Sequence, residues 1–420
     1  MSPMHDLIAR NRAGEPVGLP CFCASNAHVL RAVLAFAARN GLPAVIEATC
    51  NQVNQDGGYT GMTPADFMGW LKDMAKDAGL PPEQLVVGGD HLGPNPWRGE
   101  PLEVAMAKAR ELVRLYVEAG FTKIHLDASM ACGGEPDPSV ATIANRAAEL
   151  CAIAEAHAPD PTKLVYVIGT EVPIPGGETD EPDALDVTSV ARFHETLATH
   201  RTAWAAQGLT AAWGRIVSVV TQPGVDFGHS SIYPFVPDLA HPLSAAILAE
   251  DGLTFEAHST DYQTDAALSD LVKQHFFFLK VGPELTFRFR EAVFALAELA
   301  KHSDHAPDTD IRAVIEARML ANPTHWQSYY TGTEAEQKRH RVFSYSDRIR
   351  YYWTDPEVAA SLNALTTALA QEPVPETLIS GAFMGLDFGA IPADPNTLIE
   401  QHVQRCIERY FTAAGHLADN

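Results

Sequence analysis

Eight short apolar runs, separated by stretches with helical periodicity, limit what this chain can become more than any other feature. They lie at 18–24, 44–48, 85–89, 123–126, 164–168, 215–220, 254–257 and 276–281, and several are rich in Val, Ile or Phe. Short continuous apolar runs are what strands buried on both faces of a parallel sheet require. The segments between them read as helices. In 101–120, Leu112, Leu115, Tyr116 and Ala119 share one helical face and Gly120 is a natural stop. Thr63 followed by Pro64 starts another helix, with a capping hydroxyl and proline in the first turn. An open doubly wound sheet shares this alternation, but eight repeats point to a closed (β/α)8 barrel, an α/β fold of the TIM type.

After residue 302 the rhythm breaks. Helical segments are expected at 311–319, 355–370 and 396–413, with an aromatic and basic stretch from His325 to Trp353 between the first two. The expected organisation is a barrel catalytic domain at 1–302 and a C-terminal helical extension at 303–420 packed on it. With 46% hydrophobic residues in 420, the chain can bury a large core.

The formal charge of −23 argues against nucleic acid and anionic membranes as partners. An anionic substrate would need a local reversal of that field. The six cysteines are scattered without a CxxC pair, and neither a signal pattern nor an apolar run of membrane-spanning length is present. Reduced thiols and a cytoplasmic location are the expectation.

In such a barrel, catalytic groups come from the C-terminal ends of strands. Here those ends are polar. Strand two ends in Glu47, with Gln52 beyond it, and strand three in Asp90 and His91. Strand four carries His125 and Asp127, and strand five leads to Glu171 and to Gly176-Gly177-Glu178. Strand six leads to Asp226 and His229, strand seven to Glu256, His258, Ser259 and Asp261, and strand eight ends in Lys280. One histidine at such a place is ordinarily a hydrogen-bonded core residue. Four histidines accompanied by acids form a set that suits zinc or a similar divalent ion. No GxGxxG fingerprint and no P-loop occurs, which counts against a P-loop kinase.

The segments IEATCNQVNQDGGYTGMTPADF, GGDHLGPNPW, KIHLDAS, YVIGTEVPIPGGE, QPGVDFGHSSIYPF, FEAHSTDYQ, LKVGPELTFRFREA and SYSDRIRYYW run from residue 46 to residue 353. As a set they resemble the tagatose-bisphosphate aldolase accessory (Z-type) subunit family, some of whose members resemble tagatose-6-phosphate 4-epimerases. More distantly the chain is similar to class II zinc-dependent ketose-bisphosphate aldolases. That resemblance implies His91, Glu171, His229 and His258 as metal ligands, Zn2+ as the ion, and Asp90 as acid/base. Glu47, Gln52, Asp127, Ser259, Asp261 and Lys280, at or beyond strand ends, are the candidates for substrate contacts.

Two departures from the aldolase pattern bear on the substrate: the eighth strand reads Lys280-Val281-Gly282 in place of the aldolases' Asn-x-Asp, and the loop after the seventh strand differs as well. Ser259-Thr260-Asp261 stands where the aldolases have a glycine-rich phosphate loop, and Asp261 would repel a C1 phosphate. A 6-monophosphate is therefore expected, with Ser344, Ser346, Arg348 and Arg350 as candidates for its phosphate. The expected activity is a 4-epimerase interconverting D-tagatose 6-phosphate and D-fructose 6-phosphate. A retro-aldol route is favoured, and deprotonation–reprotonation through Glu178 is an alternative route. A non-catalytic accessory subunit that stabilises a class II aldolase is the competing reading, and self-association into a homo-oligomer is compatible with either.

Overall fold

The computed structural model describes residues 3–172, 185–371, 374–383, 389 and 394–418. Eight parallel strands close into a barrel: β1 (Leu19–Phe22), β2 (Ala44–Thr49), β3 (Leu85–Leu92), β4 (Lys123–Leu126), β5 (Val165–Gly169), β6 (Ile216–Val220), β7 (Thr254–Ala257) and β8 (Phe276–Val281). The ring is sealed by β1 pairing in parallel with both neighbours, Leu19 opposite Phe278 on β8 and Cys21 opposite Val45 on β2. Each strand lies within a few residues of an expected run, because strands covered on both faces have no polar face to blur the pattern. The largest difference is β3, which continues three residues past the apolar run to include Asp90 and His91.

A helix follows each strand. The helix Pro64–Asp77 starts with Thr63 and Asp66 in a reciprocal capping box, and Leu102–Ala119 ends at Gly120 with φ 99°. The N-terminal helix Pro3–Arg12 closes the bottom of the barrel. Its Met4 and Ile8 pack with Leu19, Val45, Val217 and Phe277.

The C-terminal segment holds helices Ile311–Ala321, Glu334–Phe343, Pro356–Gln371, Glu376–Ala382 and Pro395–Ala413. The helix at 334–343 falls inside the stretch read only as aromatic and basic. The last helix lies against the helices Ala27–Asn40 and Pro283–Ala300, with Phe411 stacked on Phe36 and tilted against Phe22. A small antiparallel ribbon, Asp226–Phe227 with Ile232–Tyr233, follows β6. Among the described residues no helix is long and apolar enough to cross a membrane, and all six cysteines are free thiols.

Candidate active site

Within the barrel, charged residues interrupt strands that are otherwise apolar. Side chains two apart on a strand share a face, so Lys123 and His125 on β4 point the same way, as do Glu256 on β7 and His258 just beyond it. Glu47 on β2 and Lys280 on β8 complete an interior layer, and all six are buried. Lys123 Nζ lies 2.8 Å from Glu47 and also pairs with Glu256. Lys280 donates to Glu47, lies 2.9 Å from Asp90 Oδ1 and 3.7 Å from Glu256. Burial alone would push Glu256 up and Lys123 down. The mutual pairing outweighs it, holding Glu256 well below the carboxylate range and raising Lys123.

Above this layer three histidines converge, each tied to a buried carboxylate. His91 Nδ1 is 2.8 Å from Asp127, His125 Nδ1 is 2.8 Å from Asp90 Oδ1, and His258 Nε2 is 2.9 Å from Glu256. Each carboxylate engages one ring nitrogen and so orients the other, the arrangement in which histidine serves as a metal ligand. His91, His125, His258 and Asp90 each offer a ligand atom within 4.8 Å of the others. His91 and Ser259 sit in the left-handed region at φ 49° and 51°. For non-glycine residues that costs energy and persists where the surroundings impose it, as at active sites. Gly93 lets β3 and β4 end this close together, since a Cβ there would lie 1.6 Å from the Asp127 carbonyl oxygen.

The electrostatics fit a divalent cation. Asp90 is held well below its ordinary range: burial raises it, but His91, Lys280 and the His125 hydrogen bond prevail. Burial lowers His258 to about 4, against the pull of Glu256, which leaves a neutral imidazole. His125 Nε2 is buried with no hydrogen-bond partner among the described residues, a costly condition unless a ligand is meant for it. Four buried carboxylates, Glu47, Asp90, Asp127 and Glu256, face only two buried ammonium groups, Lys123 and Lys280. That surplus of negative charge also raises His91 above its ordinary range: burial lowers it, but Asp90 and Asp127 prevail. A divalent ion would take the place of the proton drawn there.

The structure sorts the expected residues. Asp90, His91 and His258 come together, and His125, read in the sequence only as a strand-end histidine, joins them. Glu171 and His229 lie outside this cluster. Glu171 is 2.7 Å from Arg192 and accepts from Thr188. His229 is in the turn between the ribbon strands, its Nδ1 3.2 Å from Ser346 Oγ and its Nε2 3.0 Å from the Tyr329 carbonyl oxygen. Both follow their strands in loops, whose course the apolar pattern does not encode. Glu178 lies outside the described residues.

Asp261 is a helix cap. Its Oδ1 accepts the backbone N–H groups of Gly282 and Glu284 at 2.9 and 2.8 Å. Ser344 and Ser346 bond each other at 2.8 Å, and Arg348 donates to the His325 carbonyl oxygen while packing on Tyr329 and Tyr351. Arg350 and Gln52 instead line a cavity of about 520 Å3 between the barrel mouth and the C-terminal helices. Cys23 also lines it, with Sγ 3.9 Å from Asp90 Oδ2, so the cavity abuts the histidine cluster.

A family model described as "D-tagatose-1,6-bisphosphate aldolase subunit GatZ/KbaZ-like" matches residues 4–415. A D-tagatose 6-phosphate 4-epimerase of Agrobacterium fabrum is 44% identical over 417 residues, covering 98% of each chain. A D-tagatose-1,6-bisphosphate aldolase subunit GatZ of Salmonella enteritidis PT4 is 45% identical, covering 97% of this chain and 98% of that one. The crystal structure of a probable tagatose 6 phosphate kinase from Sinorhizobium meliloti 1021 superposes with a TM-score of 0.88 at 43% identity, covering 94% of this chain and 100% of that chain.

Proposed function

The chain belongs to the D-tagatose-1,6-bisphosphate aldolase subunit GatZ/KbaZ-like family, and from that premise we propose that it is a metal-dependent epimerase. It interconverts D-tagatose 6-phosphate and D-fructose 6-phosphate at C4. The observation that carries this reading is the convergence of Asp90 with His91, His125 and His258, each imidazole oriented by its own buried carboxylate.

His91, His125 and His258 would hold the ion, and the nitrogen-rich donor set suits Zn2+. A divalent cation at this place supplies Lewis-acid stabilisation of the negative charge that develops on the ketose oxygens. Asp90 is the acid/base. It takes the C4 hydroxyl proton as the C3–C4 bond breaks, and the bonding pair passes into the C2–C3 enediolate of the three-carbon fragment. The aldehyde fragment turns, the enediolate adds to its other face, and Asp90 returns the proton to the C4 oxygen. Lys280, 2.9 Å from Asp90 Oδ1, keeps that carboxylate ionised until it takes the C4 hydroxyl proton.

The subunit names among the relatives favour a second reading, a non-catalytic partner of an aldolase. The two separate on the purified chain. Metal content is measured, and D-tagatose 6-phosphate is followed by NMR with zinc, manganese, nickel or magnesium. The epimerase forms D-fructose 6-phosphate unaided, and His125→Ala and His258→Ala each lose bound metal and activity together. Absence of conversion with every metal ends the epimerase reading for this substrate. Full metal and activity in either variant ends the ligand assignment.

A further inference from the structure

We propose that the cavity between the barrel mouth and the C-terminal extension receives the phosphate of the substrate, with Arg31 and His28 joining Arg350 as its recognition groups. The inference rests on the sugar-phosphate reading above. In barrels of this type a phosphate is commonly held by the loops after the seventh and eighth strands and a nearby helix N-terminus. Here that place is taken, because the Asp261 carboxylate already accepts from the Gly282 and Glu284 amides. The phosphate must be bound elsewhere.

The neighbouring cavity differs in charge from the rest of the molecule. The chain has 53 acidic residues against 30 Lys and Arg, yet none of the described lining residues is acidic, while Arg31 and Arg350 supply guanidinium groups and His28, lowered to about 4 by burial, a neutral imidazole. A carboxylate-free wall with two guanidinium groups reverses the overall negative field and suits a phosphate ester. Arg31 is half-exposed, and its contact with Glu400 is a loose 3.8 Å. His28 Nδ1 is buried without a hydrogen-bond partner among the described residues. Reach is consistent as well. Two carbons and an ester oxygen separate C4 from phosphorus, so the phosphate must sit about one side chain from the group acting on C4. Cys23 bridges that gap, lining the cavity while touching Asp90. One wall comes from the helix Pro356–Gln371, through Leu362, Asn363 and Thr366, so the extension takes part in substrate selection.

The test changes the charge of the wall with little change of shape. Asn363 is exposed on that helix, and Asn363→Asp places a carboxylate in the wall. Kinetics of the metal-loaded full chain are compared for D-tagatose 6-phosphate and D-tagatose. The preference for the phosphate ester should fall about tenfold or more in Asn363→Asp and in Arg31→Gln, and rise in Asn363→Lys. A preference unmoved by all three overturns the proposal. If the wild-type chain turns over neither sugar, the epimerase reading fails separately. Calorimetric binding of inorganic phosphate to the full chain then decides: weaker binding in Asn363→Asp and Arg31→Gln upholds the cavity, and equal binding overturns it.

Discussion

A buried ion pair usually gains little for stability, because desolvation offsets the attraction. The pairs of Glu256 are better understood as devices of position. Its carboxylate is held by Lys123 and Lys280 and in turn accepts from His258. Glu256→Gln can still bond one ring nitrogen but loses the charge that fixes the tautomer. We expect divalent-metal affinity to fall about 10–100-fold, read by competition with a chelating dye. Unchanged affinity would remove Glu256 from that role. At this scale the sequence was only partly legible. His91 and His258 close strands and were evident. His125 was visible as a strand histidine, yet its place among the ligands was not. The available signal was a matched set of charges inside short apolar strands: Glu47, Lys123, Glu256 and Lys280. Residues that expensive to bury must face one another.

Among the elements, the junction of β7, β8 and the helix Pro283–Ala300 shows a side chain doing work that the sequence suggested was aimed at substrate. Burial raises the Asp261 carboxyl to about 7, although the Gly282 and Glu284 amides pull the other way. In the unfolded chain this acid titrates near 3.9. Between about pH 4 and pH 7 the folded state therefore keeps a proton that the unfolded chain has released. This group's contribution to stability is full below pH 4 and is lost as pH rises through 7. In Asp261→Asn the same oxygen accepts both amides without titrating. The variant's melting temperature should gain on the wild type as pH rises from about 4 to about 7, and a pH-independent difference would refute the account. The helices themselves were readable in advance, since Thr63-Pro64 and Gly120 are local signals that act through backbone geometry alone.

Across the whole molecule, the last helix belongs to the barrel's core as much as to the tail. Leu398, Ile399, Val403, Ile407, Tyr410 and Phe411 are almost wholly buried, and Tyr410 donates to the Thr260 carbonyl oxygen at 2.9 Å. At about 1.5–3 kcal/mol for each large apolar side chain, their burial amounts to roughly 10 kcal/mol or more, comparable with the entire stability of a typical domain. A chain ending at residue 394 should be insoluble or lack a cooperative thermal transition. A soluble, cooperatively melting truncate would contradict this.

The amino-acid order by itself determined the eight strands, because two-sided burial writes each as an apolar run, and it placed Asp90, His91 and His258 at strand ends; their closure into a ring shows in the pairing of the first strand with the eighth. Tertiary structure alone decided which polar groups meet. His125 enters the cluster because β4 closes beside β3 inside a sealed ring. Glu171 and His229 stand apart because loops leave the strand direction. Asp261 turns to a helix N-terminus because two backbone amides, brought there by the chain's return from β8, are better partners for a buried carboxylate than open solvent is for an uncapped helix.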